Sequence, residues 1–456
     1  MIQLRDYQEN IISESRDHMR QGARRILLCS PTGSGKTAIS TFIMSESAER
    51  GHTGFFLCHR VELLEQTEAT FRKAGIDFGI IAAGRDYVPD KQVYICSIDT
   101  VRNRLSKIPT PGLLVIDEAV HTPAKSWRQV IDAYPDAWRI GLTATPQRLS
   151  GEGFSDIFDR LILGPSVRDL IDAGWLSDFR FFAPPGVDPT GLHTRAGDYI
   201  PAESALLVDK PAITGDVISH YNRLSAGKRA IVFCVSVQHS KNVAEGFEAA
   251  GIPARHVDGS TPPDERRKAM EDFRAGRVLV LTNCSLFIEG VDVPALETAI
   301  LLRPTKSLAL YLQMVGRALR PAEGKTALIL DHVGAVQMHG FPDYPHKWTL
   351  AGREKRSRAA NDNVPAIRVC EKCYAAYMPA QCCPYCGAAT KLSPREIEQR
   401  EGELTEIVRL EAIRESKREQ GQARTLESLI HLGRQRGYRN PVYWARKVYS
   451  SRKSAS

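Results

Sequence analysis

Ser30-Pro31-Thr32-Gly33-Ser34-Gly35-Lys36-Thr37 is the segment of this chain with the plainest chemistry. An apolar run, Ile26-Leu27-Leu28-Cys29, precedes it, and a helix-forming stretch from Ala38 to Glu49 follows. Strand, glycine-rich turn and a helix opening on Lys-Thr make a cradle for phosphate. Glycines let the backbone approach closely, so its N–H groups and the helix N-terminus face anionic oxygens. Lys36 then reaches the terminal phosphates, and the Thr37 hydroxyl holds Mg²⁺. One departure stands in the pattern: Ser30 occupies a position that usually holds glycine. Downstream, Val115-Ile116-Asp117-Glu118-Ala119 ends an apolar strand on two adjacent carboxylates. At that place in a nucleotide-binding sheet, the first carboxylate can hold Mg²⁺ and the second can polarise an attacking water.

Cysteines supply a second chemistry. Cys370-Glu371-Lys372-Cys373 is followed, nine residues on, by Cys383-Pro384-Tyr385-Cys386-Gly387. Two Cys-x-x-Cys pairs suit a tetrahedral four-thiolate Zn²⁺ site. The gap is shorter than the usual span of about fifteen to twenty residues, so the ribbon must be small. Cys382 could take the place of Cys383, and a redox pair or an iron–sulfur cluster is the competing reading. The other cysteines, Cys29, Cys58, Cys96, Cys234 and Cys284, sit in or beside apolar runs and read as small core residues.

The elements that must position these groups follow from the pattern of apolar runs. Arg25–Cys29, Gly54–Cys58, Val93–Ser97, Leu113–Ile116 and Arg139–Leu142 are apolar throughout, as parallel strands covered on both faces are. A second set follows at Arg229–Cys234, Val278–Thr282, Thr298–Leu302 and Ala327–Leu330, with helical stretches such as Val237–Ala250 and Pro263–Ala275 between them. Two tandem α/β domains are expected. Pro184-Pro185-Gly186-Val187-Asp188-Pro189 punctuates the chain between them. Ser393-Pro394-Arg395-Glu396 is a capping box that should open a charged helix to about Gln420, and Asn440-Pro441 should open another from Val442 to Ser450.

Charge is uneven. The net charge is +8, yet Ala351 to Ser456 carries 21 Lys and Arg against 12 Asp and Glu, so the preceding residues are close to neutral. A basic appendage on a neutral body suits nucleic acid. Its end interleaves cations with aromatics: Arg434, Arg436, Tyr438, Arg439, Tyr443, Trp444, Arg446, Lys447, Tyr449, Arg452 and Lys453. Such rings can stack on bases while cations hold phosphates; equally, Tyr443, Trp444 and Val448 can pack a last helix onto the body. A hydrophobic content of 43% provides real cores, and no apolar run reaches the ~18 residues of a membrane span. With no signal-peptide layout at Met1-Ile2-Gln3-Leu4-Arg5-Asp6, a cytoplasmic protein is expected.

Taken in order, the motifs resemble those of superfamily 2 helicases over nearly the whole chain. Leu4-Arg5-Asp6-Tyr7-Gln8 resembles the adenine-recognising motif, where Arg5, Tyr7 and Gln8 would meet the base; the Gln amide suits an adenine edge. Thr32, Gly33, Ser34, Gly35, Lys36 and Thr37 form the P-loop. Phe56 to Gln66 resembles motif Ia, with Arg60 on the nucleic-acid backbone, and Ser97-Ile98-Asp99-Thr100 resembles the next backbone-facing motif. Gly141-Leu142-Thr143-Ala144-Thr145-Pro146 resembles motif III. Ile231 to Cys234 resembles motif IV. Leu281-Thr282-Asn283 with Glu289-Gly290-Val291-Asp292-Val293-Pro294 resembles motif V, placing Thr282 on nucleic acid and Gly290 and Asp292 at the nucleotide. Gln313-Met314-Val315-Gly316-Arg317-Ala318-Leu319-Arg320 resembles motif VI. On one helix Gln313, Arg317 and Arg320 share a face, and arginine forks suit charge shifting on a γ-phosphate. The DEAH pattern departs here: Asp117-Glu118-Ala119-Val120 puts His121 one place late, which leaves coupling to the nucleic-acid side in question.

The resemblance implies two RecA-like parallel-sheet lobes followed by a small Cys₄ zinc-binding element and a basic helical C-terminal segment. The expected divisions are lobe one over 1–185, lobe two over 186–350, a linker over 351–365, the zinc element over 366–392 and the tail over 393–456. The implied catalytic residues are Lys36, Asp117, Glu118, Arg317 and Arg320, with ATP, Mg²⁺ and Zn²⁺ as ligands and DNA as partner. The zinc element and the tail, together with Met338-His339-Gly340-Phe341-Pro342, narrow the resemblance to RadD-like DNA-repair helicases of bacteria and prophages. An RNA helicase, or an ATP-gated loading factor that does not unwind, carries the same motifs.

Overall fold

The computed structural model describes residues 3–148, 153–183, 191–195, 197–288, 296–351, 367–390, 423, 425–435, 442, 445 and 449. They fall into two compact units, Met1–Ala388 and Ala389–Ser456.

The first unit opens with α1 (Asp6–Arg20), β1 (Arg25–Cys29), α2 (Lys36–Glu49), β2 (Gly54–Cys58), α3 (Val61–Lys73) and β3 (Gly79–Ile81). Then come β4 (Val93–Ser97), α4 (Ile98–Arg102), β5 (Leu113–Ile116), α5 (Lys125–Ala133), β6 (Trp138–Thr143) and β7 (Arg160–Leu163). The strands make one parallel sheet in the order β3-β4-β2-β5-β6-β1-β7. Every residue of β2 and β5 is buried, which is why those runs are apolar rather than alternating. Side chains still alternate across the sheet: Ile26 and Leu28 enter one core and Leu27 the other.

The second lobe begins earlier than expected. After α6 (Val167–Asp172), β8 (Phe179–Phe182) pairs with a strand of the second sheet, and Leu170 and Leu176 are buried in that lobe's core. The expected division at 185 is therefore too late: the chain has joined the second lobe by α6. A short hairpin, β9 (Thr194–Arg195) and β10 (Asp198–Tyr199), leads to α7 (Pro201–Val208), α8 (Pro211–Leu224), β11 (Ala230–Phe233) and α9 (Val237–Ala249). Next come β12 (Ala254–Val257), α10 (Pro263–Arg274), β13 (Val280–Asn283), β14 (Thr298–Leu301), α11 (Leu308–Ala318), β15 (Ala327–Asp331) and α12 (Ala335–His339). The second sheet is parallel too, in the order β12-β13-β11-β14-β15-β8.

The cysteine element is fused to this sheet. Its two strands, β16 (Arg368–Val369) and β17 (Ala376–Tyr377), pair antiparallel. Ala375 bridges Phe182 of β8, and the Ala183 N–H donates to the Tyr374 carbonyl at 2.9 Å. The element so covers an edge whose backbone groups would otherwise stand unpaired. Cys370, Cys383, Ala375 and Tyr377 complete one face of the second core.

In the second unit α13 (Leu426–Gln435) is described. The helix expected from Ser393 to Gln420 lies outside the described residues, as do all of the expected linker 351–365 but Ala351, the Pro184–Pro189 stretch and all but scattered residues of the last aromatic–cation segment. Among the described residues, no helix is long and apolar enough to cross a membrane.

Candidate functional site: the cleft between two lobes

The phosphate loop leaves β1 at the carboxyl end of the sheet, where ligands of open parallel sheets bind. Gly35 caps α2 in the left-handed region at φ 80°. A side chain there is excluded twice, by that conformation and because a Cβ would lie 2.6 Å from the Gln8 amide nitrogen. The Lys36 ammonium donates to the carbonyls of Ser30 (2.9 Å) and Pro31 (3.2 Å), folding back over the loop. Burial pushes its pKa down; Glu118 and then Asp117 pull it up, while Arg317 adds a smaller downward push. Lys36 thus lies within electrostatic reach of both carboxylates and of Arg317. Asp117 follows β5, and its carboxylate accepts the Glu118 N–H at 3.1 Å. Glu118 itself sits at φ 49°, a left-handed conformation that non-glycine residues adopt at a cost of about 1–3 kcal/mol. Between β5 and β1 runs β6, and the Ser30 N–H donates to the Thr143 carbonyl at 3.0 Å. The Gly141–Pro146 segment is thereby wedged between the loop and the carboxylates.

The second lobe closes on this loop through α11. Gly316 faces Thr32 so closely that a Cβ at Gly316 would lie 2.8 Å from the Thr32 Cβ. Gly33 likewise meets the Arg320 stem, 3.6 Å from where its Cβ would be. Gln313 and Arg317 are buried, and burial lowers the Arg320 pKa. The expected helical face needs one correction: α11 ends at Ala318, so Arg320 projects from the turn beyond it. Pro321 explains the stop, since the residue before a proline is disfavoured in helix.

The residues of the expected base-recognition motif lie against the phosphate loop. The Gln8 amide nitrogen donates to the loop carbonyls of Ser34 (3.2 Å) and Gly35 (3.3 Å), and its oxygen accepts the Arg5 N–H at 2.9 Å. Gln8 therefore braces the phosphate loop. The Tyr7 hydroxyl donates to the same Ser34 carbonyl at 2.5 Å and accepts from Arg5 at 3.0 Å. Gly290 and Asp292 lie outside the described residues.

Two expected nucleic-acid contacts are corrected. Thr282 is fully buried at the end of β13; its hydroxyl donates to the Ser240 carbonyl at 2.7 Å and accepts from the Ser240 hydroxyl at 2.9 Å. Thr100 is also buried, on α4, while its neighbour Asp99 is exposed. Strand alternation and the α4 turn aim these threonines inward. Arg60 lies at the interlobe surface, donating to the Leu286 carbonyl of the second lobe (3.4 Å) and to the His59 ring (3.3 Å). Close by, Glu62 of α3 forms an ion pair with Arg266 of α10 across the cleft. The displaced His121 lies against His59, with ring centroids 4.4 Å apart and the ring planes tilted by 55°. The Glu62–Arg266 pair carries no sequence signal of its own, because its two members lie about two hundred residues apart in the chain.

Cys370, Cys373, Cys383 and Cys386 converge, their sulfurs all within 4.8 Å of one another. Cys370–Cys386 and Cys373–Cys383 are each 3.6 Å apart. A tetrahedral zinc with Zn–S bonds of about 2.3 Å needs sulfurs roughly 3.8 Å apart, so the set fits the ion. The two turns match: Tyr374 and Gly387, each just after a Cys-x-x-Cys, have φ of 63° and 69°. Cys382 is exposed and outside the cluster.

A parallel-sheet lobe bearing a phosphate loop, with a second lobe laying arginines against it, defines a two-lobed nucleoside-triphosphate hydrolase. Comparison with known proteins specifies the family. The model for "Type III restriction enzyme, res subunit" matches residues 1–148, and that for "Helicase conserved C-terminal domain" matches residues 210–322. A 51.5 kDa protein of a Lactococcus phage is 37% identical over 362 residues, which cover 79% of this chain and 77% of that one. A Saccharomyces cerevisiae protein named as an ATP-dependent helicase, IRC3, is 30% identical over 73% of this chain, which spans only 52% of that relative. The fragment structure of an HsdR-type subunit of a type I restriction enzyme from Vibrio vulnificus superposes with a TM-score of 0.60. That match covers 74% of this chain and 66% of that one at 22% identity, a likeness of fold. The chain belongs to the superfamily 2 helicases, ATP-hydrolysing enzymes that act on nucleic acid.

Proposed function

We propose that this chain is an ATP-driven DNA motor, a helicase or translocase of repair or recombination, with its hydrolytic site in the interlobe cleft. The observation that carries the proposal is the seating of α11 on the phosphate loop, Gly316 against Thr32, which brings Arg317 within electrostatic reach of Lys36. In this reading the loop N–H groups of Thr32 to Thr37 and the Lys36 ammonium hold the β- and γ-phosphates. Thr37 and Asp117 would hold Mg²⁺, which neutralises phosphate charge when bound. Glu118 orients and polarises the attacking water, and Arg317 and Arg320 stabilise the charge that spreads over the γ-phosphoryl oxygens. Because those arginines come from the other lobe, hydrolysis and product release loosen the lobes from each other, and that motion is the stroke along a strand.

Zn²⁺ held by Cys370, Cys373, Cys383 and Cys386 would be a folding element that fixes the capped edge of the second sheet. The basic tail supplies a further grip on phosphates.

The test is steady-state ATP hydrolysis with no nucleic acid, single-stranded DNA, duplex DNA or RNA, with Glu118→Gln as the inactive control. Selective stimulation by DNA, followed by strand displacement on the preferred form, is the expected result. Equal stimulation by RNA, or turnover indifferent to nucleic acid, would overturn the DNA-motor reading.

A further inference from the structure

Beside the phosphate loop stands a cation with no counter-ion among the described residues. The Arg5 guanidinium carbon lies 3.9 Å from the centroid of the Trp175 ring, well inside cation–π range. Among the described residues no carboxylate pairs with Arg5, and its one side-chain hydrogen bond is to the Tyr7 hydroxyl at 3.0 Å. Trp175 remains 38% exposed, unusual for so large an apolar ring beside a cleft.

The ring is held there by two anchors. Gly174 ends α6 at φ 74°; its N–H donates to the Ile171 carbonyl at 2.9 Å and the Trp175 N–H donates to the Leu170 carbonyl at 2.7 Å. This is the Schellman arrangement, which fixes the direction in which the chain leaves a helix. The next residue, Leu176, is buried and meets the loop, its Cδ2 only 2.9 Å from where a Gly33 Cβ would stand. Trp175 therefore belongs to the second lobe's first segment and Arg5 to the first lobe, so the stack crosses the cleft at the loop's flank.

The Gln8 amide nitrogen is engaged by two loop carbonyls. A planar guanidinium offers another means of recognition, because it stacks on aromatic faces. We propose that Trp175 is the backing residue of the nucleotide-base subsite: it holds the Arg5 plane beside the phosphate loop, and the purine of the bound nucleotide stacks on the opposite face of that plane. This rests on the ATP-site reading above. Trp175 is a positioning residue that acts through Arg5. The wider ring system of a purine gains more from such a platform than a pyrimidine does, so the site selects ATP over CTP.

The experiment is steady-state hydrolysis by the full chain, with the nucleic acid that stimulates it most, for wild type, Trp175→Ala, Trp175→Phe and Arg5→Ala. Inorganic tripolyphosphate serves as a competitor that lacks a base. Trp175→Ala is expected to raise KM for ATP about tenfold with kcat within about twofold, and to narrow the ATP-over-CTP preference. The inhibition constant of tripolyphosphate should stay put, and Trp175→Phe should bring KM back to within about threefold of wild type. An unchanged KM in Trp175→Ala alongside a raised KM in Arg5→Ala overturns the backing role and leaves the base site standing. An unchanged KM in Arg5→Ala overturns the base site itself. A parallel weakening of tripolyphosphate would mean that the loop, not the base, was disturbed, and overturns the proposal as well.

Discussion

Replacing Gly316 by Ala should slow hydrolysis by about two orders of magnitude without loosening the fold. The new Cβ would sit 2.8 Å from the Thr32 Cβ and 3.3 Å from its Cγ2 and Oγ1. Carbon atoms in ordinary contact are about 3.5–4.0 Å apart, so the shortfall is roughly 0.7–1.2 Å. Neither side can swing away, since a Cβ moves only with its backbone. The α11 helix must therefore withdraw from the loop by about an ångström, taking Arg317 with it. A misplacement of that size at reacting groups costs on the order of 10²-fold in rate. Helix propensity acts in the opposite direction, because Ala in a helix interior is favoured over Gly by about 1 kcal/mol. The signature is thus a kcat lowered about 30- to 100-fold, with a melting temperature that is unchanged or raised. Stopped-time phosphate release and thermal melts on the same samples measure both. Adding Thr32→Gly removes all the opposing atoms and should recover part of the loss, an interaction that a double-mutant cycle isolates. A Gly316→Ala chain with kcat within threefold of wild type would refute the closed cleft described here.

Metal analysis should find about one zinc per chain. Cys383→Ser should lose the ion and lower the melting temperature, since Cys383 also fills the second core, whereas Cys382→Ser should do neither; iron, or no metal, would refute the site. Thr282→Val should destabilise the chain by about 1–3 kcal/mol through the loss of two buried hydrogen bonds to Ser240, yet leave the salt dependence of DNA binding unchanged in a titration. Asp258 supplies a pH test. Burial would raise its pKa, but bonds from the Ser260 side chain, His256 and the Ser260 N–H outweigh this and lower it to about 2. A depressed carboxylate stabilises the fold above its unfolded pKa, near 4, and loses that contribution as pH falls towards 2. Asp258→Asn should therefore cost about 2 kcal/mol at pH 7, with the gap to wild type closing between roughly pH 4 and 2 in denaturant melts; a gap independent of pH would refute it.

What the sequence determined by itself is the set of local arrangements. The phosphate loop, the carboxylate pair after β5 and the two Cys-x-x-Cys turns are each short contiguous stretches, and their chemistry follows from residue types a few bonds apart. The buried central strands were legible for a related reason: a strand covered on both faces must be apolar along its whole length. The edges were not. In β12, Ala254-Arg255-His256-Val257, and in β7, Arg160-Leu161-Ile162-Leu163, exposed positions break the apolar pattern, while β8 reads as apolar but pairs with β15 nearly 150 residues on. Contacts that join distant segments were likewise decided by the tertiary structure alone. That Gln8 reaches the phosphate loop and Thr282 reaches α9 depends on packing within each lobe, and whether Trp175 lies on the surface or against Arg5 depends on where the second lobe comes to rest. A motif fixes which groups are near one another along the chain; the packing of two sheets fixes which of them remain free to meet a ligand.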